Sequence, residues 1–538
     1  MNKILSLLFI IASISYPLTI SAQTPHVCGL THDDQEVIYH KMMELRSRYG
    51  DNLQTRGAVA YVPLALHLTA STEGFNRVRE AQLLTFIDSL NATYARNGIE
   101  LQFYIKYMNY VNSTELNETP AALSGYSRAN AQRKADAMNI YFCTDAGDGS
   151  IVGGTTLGVY YTAVRGGLPY SADWIYIKNS EVAKGASPTI EHEIGHFFTL
   201  PHTFRGFDET PFKPTAAIPC APKAVLYSGV SYNTENYVRT GTDANCSTAG
   251  DGFCDTPADY NLGFGWTTCN YNGIAKDPTC VAVDPDESNI MGYFPSSCSK
   301  TFSPMQKAAI MNDYTNNVAR LYLRNGNQIP NQTAMTLPTL IAPANNATVT
   351  SFTPVNLDWS DVAGVTGGAN KESGYVIEVS TFATFASNIA SLVSTTSNVS
   401  LNSSNTPAGF LKANTTYYWR IRPYGTYKMG GNFTSNSIFT TGTANAVNEI
   451  QGIKDFTVSP NPTAASRSLN IALTSEKSLS GVVKMYNATG QVVINEVKRF
   501  DMGYSNQTID IQGLSKGVYI LTIEADNGVL NKKVVVTE

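Results

Sequence analysis

The sequence predicts a mixed α+β domain over residues 58–324, followed by two all-β sandwich domains at 338–442 and 450–538. Two observations carry this. Ahead of residue 324, strand-like runs are intermixed with amphipathic helical stretches; beyond 338 the composition turns to Thr, Ser, Val and Asn in short alternating strands. With 538 residues the chain is also too long for one core, and domains of ordinary size divide it into three or four.

Taken in order, the first residues set Lys3 ahead of an apolar run from Ile4 to Ala12 and close on small and polar residues around Ser21 and Ala22. That is the pattern of a secretory signal peptide over residues 1–22. The rival reading, a membrane anchor, needs about 20 apolar residues, and this run is shorter. Residues 23–57 are polar and helix-prone, with VIYHKMMELRSRYG as their apolar periodicity, and read as a short pro-segment. AVAYVPLALH is strand-like, and REAQLLTFIDSLNATYARNGIELQFYI reads as an amphipathic helix leading into a strand. MNIYFC and DWIYIKNS are further strands. A helix opens in SPTIEHEIGHFFTL, with Ser187 as N-cap and Pro188 in the first helical position.

From Cys220 to Cys298 the chain is rich in Gly, Asp, Asn, Pro and Cys with little periodicity, so bridges or metal must order it. The helix in TFSPMQKAAIMNDYTNNVARLY closes the domain near Leu323, and a polar linker spans residues 325–337. PVNLDWSDV, SGYVIEVST, NTTYYWRIRP and NSIFTT then have the spacing of a β-sandwich.

A net charge of -5 with 15% charged residues offers no basic surface for nucleic acid or anionic lipid, so neither is expected as a partner. Of the eight cysteines, at 28, 143, 220, 246, 254, 269, 280 and 298, six crowd behind the histidine-rich helix. No pair has C-x-x-C spacing, and in an exported chain the clustering favours about three disulfides over a Cys-ligated ion.

The chemistry concentrates in His192-Glu193-Ile194-Gly195-His196, with a third histidine, His202, six positions later. On a helix, positions i and i+4 share a face, so His192 and His196 present two imidazoles to one ion. A sharp turn after His196 can return His202 as third ligand, leaving a fourth position for water, the arrangement of catalytic zinc. Glu193, beside the first ligand but not on the metal, suits the role of general base toward that water as it attacks a peptide carbonyl. No histidine follows 202, so none later in the chain can complete a different site.

Together with Ser288-Asn289-Ile290-Met291-Gly292-Tyr293, the motif resembles the metzincins, in which a methionine turn lies beneath the metal. HEIGHFFTLPHTF, Gly250-Asp251-Gly252-Phe253-Cys254-Asp255-Thr256-Pro257 and NIMGYFPSSC resemble the pappalysin family of that clan, over about residues 58–323. The resemblance implies a metzincin-like peptidase fold, His192, His196 and His202 as zinc ligands, Glu193 as base and Met291 as the turn methionine. It also implies that Tyr293 approaches the metal or the reaction intermediate, the alternative being an ordinary packed tyrosine. Asp251, Asp255 and Thr256 match a segment that binds structural calcium in relatives, with an ordinary Asx-turn loop as the alternative.

The family's bridges, carried over, join Cys246 to Cys280 and Cys269 to Cys298, leaving Cys220 and Cys254 as a third pair. Cys28, in His26-Val27-Cys28-Gly29, resembles a cysteine switch whose thiolate takes the fourth zinc position; its rival is a bridge to Cys143. In two places the chain departs from the pattern. Thr199 stands where metzincins have glycine, so either the turn takes another path or the third ligand is less well placed. Ser296 replaces an acidic residue of relatives that cut before Arg or Lys, so that preference is not implied.

Residues 338–442, with Trp359 early and Tyr417-Tyr418-Trp419-Arg420 late, resemble a fibronectin type III domain. Pro460-Asn461-Pro462, Tyr486 with Gly490-Gln491, and Gly517-Val518-Tyr519 resemble the C-terminal sorting domain of bacterial type IX secretion. The expectation is a secreted or cell-surface zinc endopeptidase that acts on proteins or peptides, with the secretion machinery as partner and no integral membrane segment. The contrasting expectation is a surface adhesin with an inactive metal domain.

Overall fold

The computed structural model describes residues 27–51, 58–147, 156–162, 172–325, 335–365, 368–407, 409–429, 431–445, 450, 452–464, 468–525 and 528–537. The signal-peptide reading of residues 1–22 lies outside them. Two compact units emerge, one of residues 1–335 with 363–374 and 424–431, the other of 336–362, 375–423 and 432–538. The two inserts of the first unit fall inside the stretch predicted as the first sandwich. Their own contacts account for this: Tyr427 packs on Tyr61 and Tyr104, and the Lys371 ammonium lies 4.0 Å over the Tyr110 ring.

The first unit is built on a six-stranded sheet of β1 (Val27–Cys28), β2 (Ala60–Ala70), β3 (Leu101–Asn112), β4 (Met138–Cys143), β5 (Thr156–Tyr161) and β6 (Trp174–Lys178). Their order is β1-β5-β6-β4-β2-β3. β2, β3, β4 and β6 are mutually parallel, β5 runs antiparallel to β6, and β1 pairs parallel with β5. β2 is buried from Val62 to Ala70 without alternation, as expected of a parallel strand covered on both faces. On one face Tyr141, Trp174 and Tyr176 pack with Leu116, Tyr126 and Ala129 from α3 (Thr114–Glu118) and α4 (Leu123–Gln132).

The predicted pro-segment supplies β1 and the helix α1 (His32–Tyr49). Thr31 caps α1, Asp33 and Asp34 stand in its first turn and Arg46 and Arg48 in its last, each sign matched to the helix dipole. α2 (Glu80–Arg96) is the amphipathic helix expected from the sequence and leads into β3. α5 (Asn179–Ala183) precedes α6 (Thr189–Phe197), which carries the histidine motif and is buried along its whole length.

The start of α6 differs from expectation by one residue. Pro188 occupies the N-cap position, and Ser187 instead donates to the Glu181 carboxylate at 2.6 Å and meets the Thr189 hydroxyl at 3.0 Å, bracing α5 against α6.

Beyond α6 come a short hairpin, β7 (Ala224–Tyr227) with β8 (Val230–Asn233), and then a long irregular stretch. Three disulfides order it: Cys220–Cys280, Cys246–Cys254 and Cys269–Cys298. Only the last agrees with the pairing implied by the resemblance; Cys246–Cys280 and Cys220–Cys254 do not form. Local turns decide the matter. Ala249 and Gly252 close a turn that brings the Cys246 and Cys254 Cα atoms to 5.0 Å, while Ala221 N donates to Lys276 O and sets Cys220 beside the turn at Cys280. α7 (Pro304–Asn316) follows with Ser303 and Gln306 in a reciprocal capping box.

The second unit is all β. A five-stranded sheet contains Gly374–Ser380, Thr416–Tyr424 and Ser437–Asn445, and a three-stranded sheet contains Val355–Trp359. Trp359, Tyr417 and Trp419 are fully buried. Further along, three-stranded and five-stranded sheets enclose Leu469, Ile471, Leu473, Leu521, Ile523 and Val534.

Candidate metal centre

Helical spacing sets His192 and His196 one turn apart on α6. The helix ends at Phe197, and Thr199 takes φ 67°, in the left-handed region. The turn therefore follows the path that glycine would take, with the strain borne by a β-branched residue. Thr199 N donates to His196 O and Leu200 N to Gly195 O, both at 2.9 Å, which folds the chain back and returns His202.

The three Nε2 atoms converge. They lie 3.0 Å apart between His192 and His196 and 3.2 Å apart in the other two pairs. Each Nδ1 faces an oxygen that only accepts: Ile290 O at 2.7 Å for His192, Leu200 O at 2.7 Å for His196 and Asp208 Oδ1 at 2.6 Å for His202. The proton of each neutral ring therefore sits on Nδ1, and three Nε2 lone pairs point into one space with no hydrogen to share. Together with Cys28 they form a group that could hold a metal ion. Tetrahedral ligands about 2.0–2.1 Å from an ion stand roughly 3.3 Å from one another, close to the separation seen.

Met291 is fully buried, and a methyl group at Gly195 would come within 2.5 Å of its sulfur, so it lies directly against the helix that carries the ligands. Tyr293 follows on the same turn. Its ring centroid is 5.0 Å from that of His202 and 6.0 Å from that of His192, and its hydroxyl accepts from Cys28 N at 2.8 Å.

Glu193 is fully buried, and burial raises its carboxyl to about 8, offset in part by the Cys28 thiol and the Tyr160 main chain. Gly158 on β5 gives it room: a Cβ there would stand 2.8 Å from Glu193 Cγ. Cys28 Sγ lies 3.4 Å from Glu193 Oε2, and the ligand atoms of Cys28, His192, His196 and His202 all fall within 4.8 Å of one another. Cys143, the rival partner of Cys28, is a separate free thiol buried on β4.

Asp251, Asp255 and Thr256 do not meet at one point through their side chains. Asp251 accepts from Phe253 N at 2.9 Å and from the Thr256 hydroxyl at 3.0 Å. Asp255 instead accepts from the Ser303 hydroxyl at 2.8 Å and Met305 N at 2.7 Å, at the start of α7. Burial raises Asp251 to about 7, and Glu235, whose Oε2 has no hydrogen-bond partner, is pushed well up by burial and then by Asp251.

Sequence reasoning missed Asp208, which orients His202 and also accepts from Gly206 N at 2.8 Å. A single aspartate six residues past the last histidine, in a turn-rich stretch, was the only signal. From α1, Gln35 Nε2 reaches the same carboxylate at 3.0 Å, and Glu36 pairs with Arg205 at 2.7 Å. Asp208→Ala is expected to lower affinity for a divalent ion by about 10–100-fold, as removal of a ligand's hydrogen-bond partner does. Competition with a chromogenic chelator measures this, and an unchanged affinity would remove Asp208 from the centre.

Residues 457–537 match the family described as the secretion system C-terminal sorting domain. An extracellular metalloprotease of Colletotrichum graminicola is 26% identical over 264 residues, 46% of this chain and 74% of that protein. An extracellular metalloprotease of Podospora anserina is 27% identical over 187 residues, 33% of this chain and 47% of that protein, so the chain spans about half the length of the second relative. The FN1–FN3 domains of chicken CNTN1 match 38% of this chain and 70% of that one at 12% identity, with a TM-score of 0.15, too slight a likeness to bear on the fold. No helix among the described residues is long and apolar enough to cross a membrane. With the sorting domain at residues 457–537, the chain is exported across the outer membrane by type IX secretion.

Proposed function

We propose that the chain is a zinc metalloendopeptidase of pappalysin-like metzincin type, hydrolysing peptide bonds of proteins outside the cell. The observation that carries this is the convergence of three Nε2 atoms, with each Nδ1 facing an acceptor oxygen and a buried carboxylate alongside. Two relatives named as extracellular metalloproteases support it.

His192, His196 and His202 would hold the ion. When bound, zinc supplies Lewis acidity, polarising a carbonyl and lowering the pKa of water toward about 7. Glu193 accepts the proton of the attacking water and delivers it to the leaving amine. Tyr293, with its hydroxyl now on the Cys28 main chain, is placed to donate to developing negative charge once that strand leaves.

Cys28 acts as the latency residue in this reading. Burial and then the Glu193 carboxylate raise its thiol, whereas a coordinated ion deprotonates a thiol outright. Cys28→Ala is expected to give activity during expression, seen as self-cleavage on a gel, and unchanged latency would count against the switch.

The finer assignments belong to the same reading: a pro-segment at 23–57, a peptidase domain at 58–324, a fibronectin type III-like domain at 338–442 and the sorting domain at 450–538. Calcium, implied at Asp251, Asp255 and Thr256, would be structural, although the Asp255 side chain accepts instead from Ser303 and Met305 N. An adhesin has no need of a carboxylate buried beside the first ligand.

Metal analysis with chelation tests the proposal. The purified chain should carry about one zinc, lose peptide hydrolysis on chelation and regain it on zinc return. Hydrolysis indifferent to chelator would end it.

A further inference from the structure

Arg205 follows the last histidine in a turn that lies against β8. Gly206, at φ 101°, permits the approach: a Cβ there would stand 3.2 Å from Tyr232 Cβ. The Arg205 guanidinium sits 4.8 Å over the Tyr232 ring and is 8% exposed. Both side chains come from the segment behind the histidine motif, so their juxtaposition does not depend on α1.

What occupies the pair does come from α1. Glu36 Oε1 accepts from Arg205 Nη2 at 2.7 Å and from the Tyr232 hydroxyl at 2.9 Å, while its Oε2 lies 3.3 Å from His40 Nε2 on the same helix. His32 Nε2 meets the Tyr232 hydroxyl at 2.7 Å, and the Tyr39 ring covers the guanidinium at 3.5 Å. Burial would raise the Glu36 carboxyl, yet Arg205 and Tyr232 hold it below its ordinary range. Arg205 Nε is buried without a hydrogen-bond partner, and among the described residues no carboxylate outside α1 pairs with this guanidinium. Departure of α1 would therefore strip a guanidinium and a hydroxyl of their partners together, and buried polar groups left unpaired cost free energy.

We infer that Arg205 and Tyr232 form a carboxylate-binding site that receives an acidic side chain of a peptide substrate once α1 has gone, the place that Glu36 fills here. This rests on the peptidase reading and on residues 23–57 being a removable pro-segment. The chemistry selects a carboxylate, because a guanidinium presents parallel N–H groups at the spacing of carboxylate oxygens. A lysine or arginine side chain would meet like charge, and a glutamine would leave the guanidinium without a counter-ion.

The test is hydrolysis by the zinc-loaded protein freed of residues 23–57, with and without chelator. Its substrates carry one Glu, walked up to about six residues to either side of the cut, a reach of roughly 20 Å, and are paired with the same peptides carrying Gln. At one position Glu should raise kcat/KM about tenfold over Gln, the worth of a hydrogen bond to a charged group. Arg205→Gln should abolish that difference, with circular dichroism and zinc content confirming its fold. Tyr232→Phe, which keeps the ring and loses the hydroxyl, should reduce the difference several-fold, and it decides the matter should Arg205→Gln fail to fold. Chelator-sensitive cleavage with no Glu preference at any position, or with a preference that these substitutions leave intact, overturns the inference and leaves the peptidase standing. Absence of all cleavage overturns both.

Discussion

Replacing Glu193 with alanine is expected to slow peptide hydrolysis by about 10²–10⁴-fold, the contribution typical of a positioned acid–base group. Metal content should not fall with it. Each imidazole is oriented by Ile290 O, Leu200 O or Asp208, and none of these bonds involves Glu193. The side chain also leaves little behind it, since Gly158 already yields it space from β5. Glu193→Gln separates proton transfer from shape: it keeps the volume, loses the basicity and should be about as slow as the alanine variant. Rates on a peptide substrate, paired with zinc content by elemental analysis, decide the matter. Hydrolysis that survives in either variant would remove Glu193 from the chemistry.

The second large effect concerns stability. Arg320 is buried beneath the C-terminal end of α6, where it donates to Phe197 O at 2.5 Å and to Tyr160 OH at 3.0 Å. It pairs with Asp173 at 2.6 Å and Asp313 at 3.2 Å, and its guanidinium lies 3.6 Å from the Phe197 ring centroid. Both neighbouring carboxylates push its pKa up against a burial cost that pulls it down. Removing one member of a buried pair strands the other, and Asp313 is fully buried, so Arg320→Ala should cost the first unit about 3–5 kcal/mol. Calorimetry of the full chain reads this as a shift of one transition and not of the other. A first-unit midpoint within a degree of wild type would contradict it.

Much of the centre was legible because its spacing is helical. His192 and His196 need only i and i+4 on one element, and the short gap to His202 leaves few places for it to go. Residues that act from irregular backbone were not legible. Asp208 carries no periodicity, and Gln35 reaches the centre only because α1 docks across it. The cysteine pairing was misread for the same reason: six cysteines allow fifteen connectivities, and turns at Ala249–Gly252 and Asp277–Cys280 choose among them. β5 also escaped notice, being a short run before a polar stretch, yet it is the strand that pairs with β1 and makes room for Glu193. Thr199 adopted the backbone that its residue type resists, which shows tertiary closure of the loop overriding local preference.

Bridges such as Cys220–Cys280, which spans 60 residues, and Cys269–Cys298, which spans 29, can close only after the segments they join have found their places. A chain bearing an outer-membrane sorting tail meets its first oxidising compartment in the periplasm, before it crosses the last barrier. Residues 220–298 then pass as closed loops held by their bridges, so this stretch cannot be drawn through the last barrier as a single extended thread.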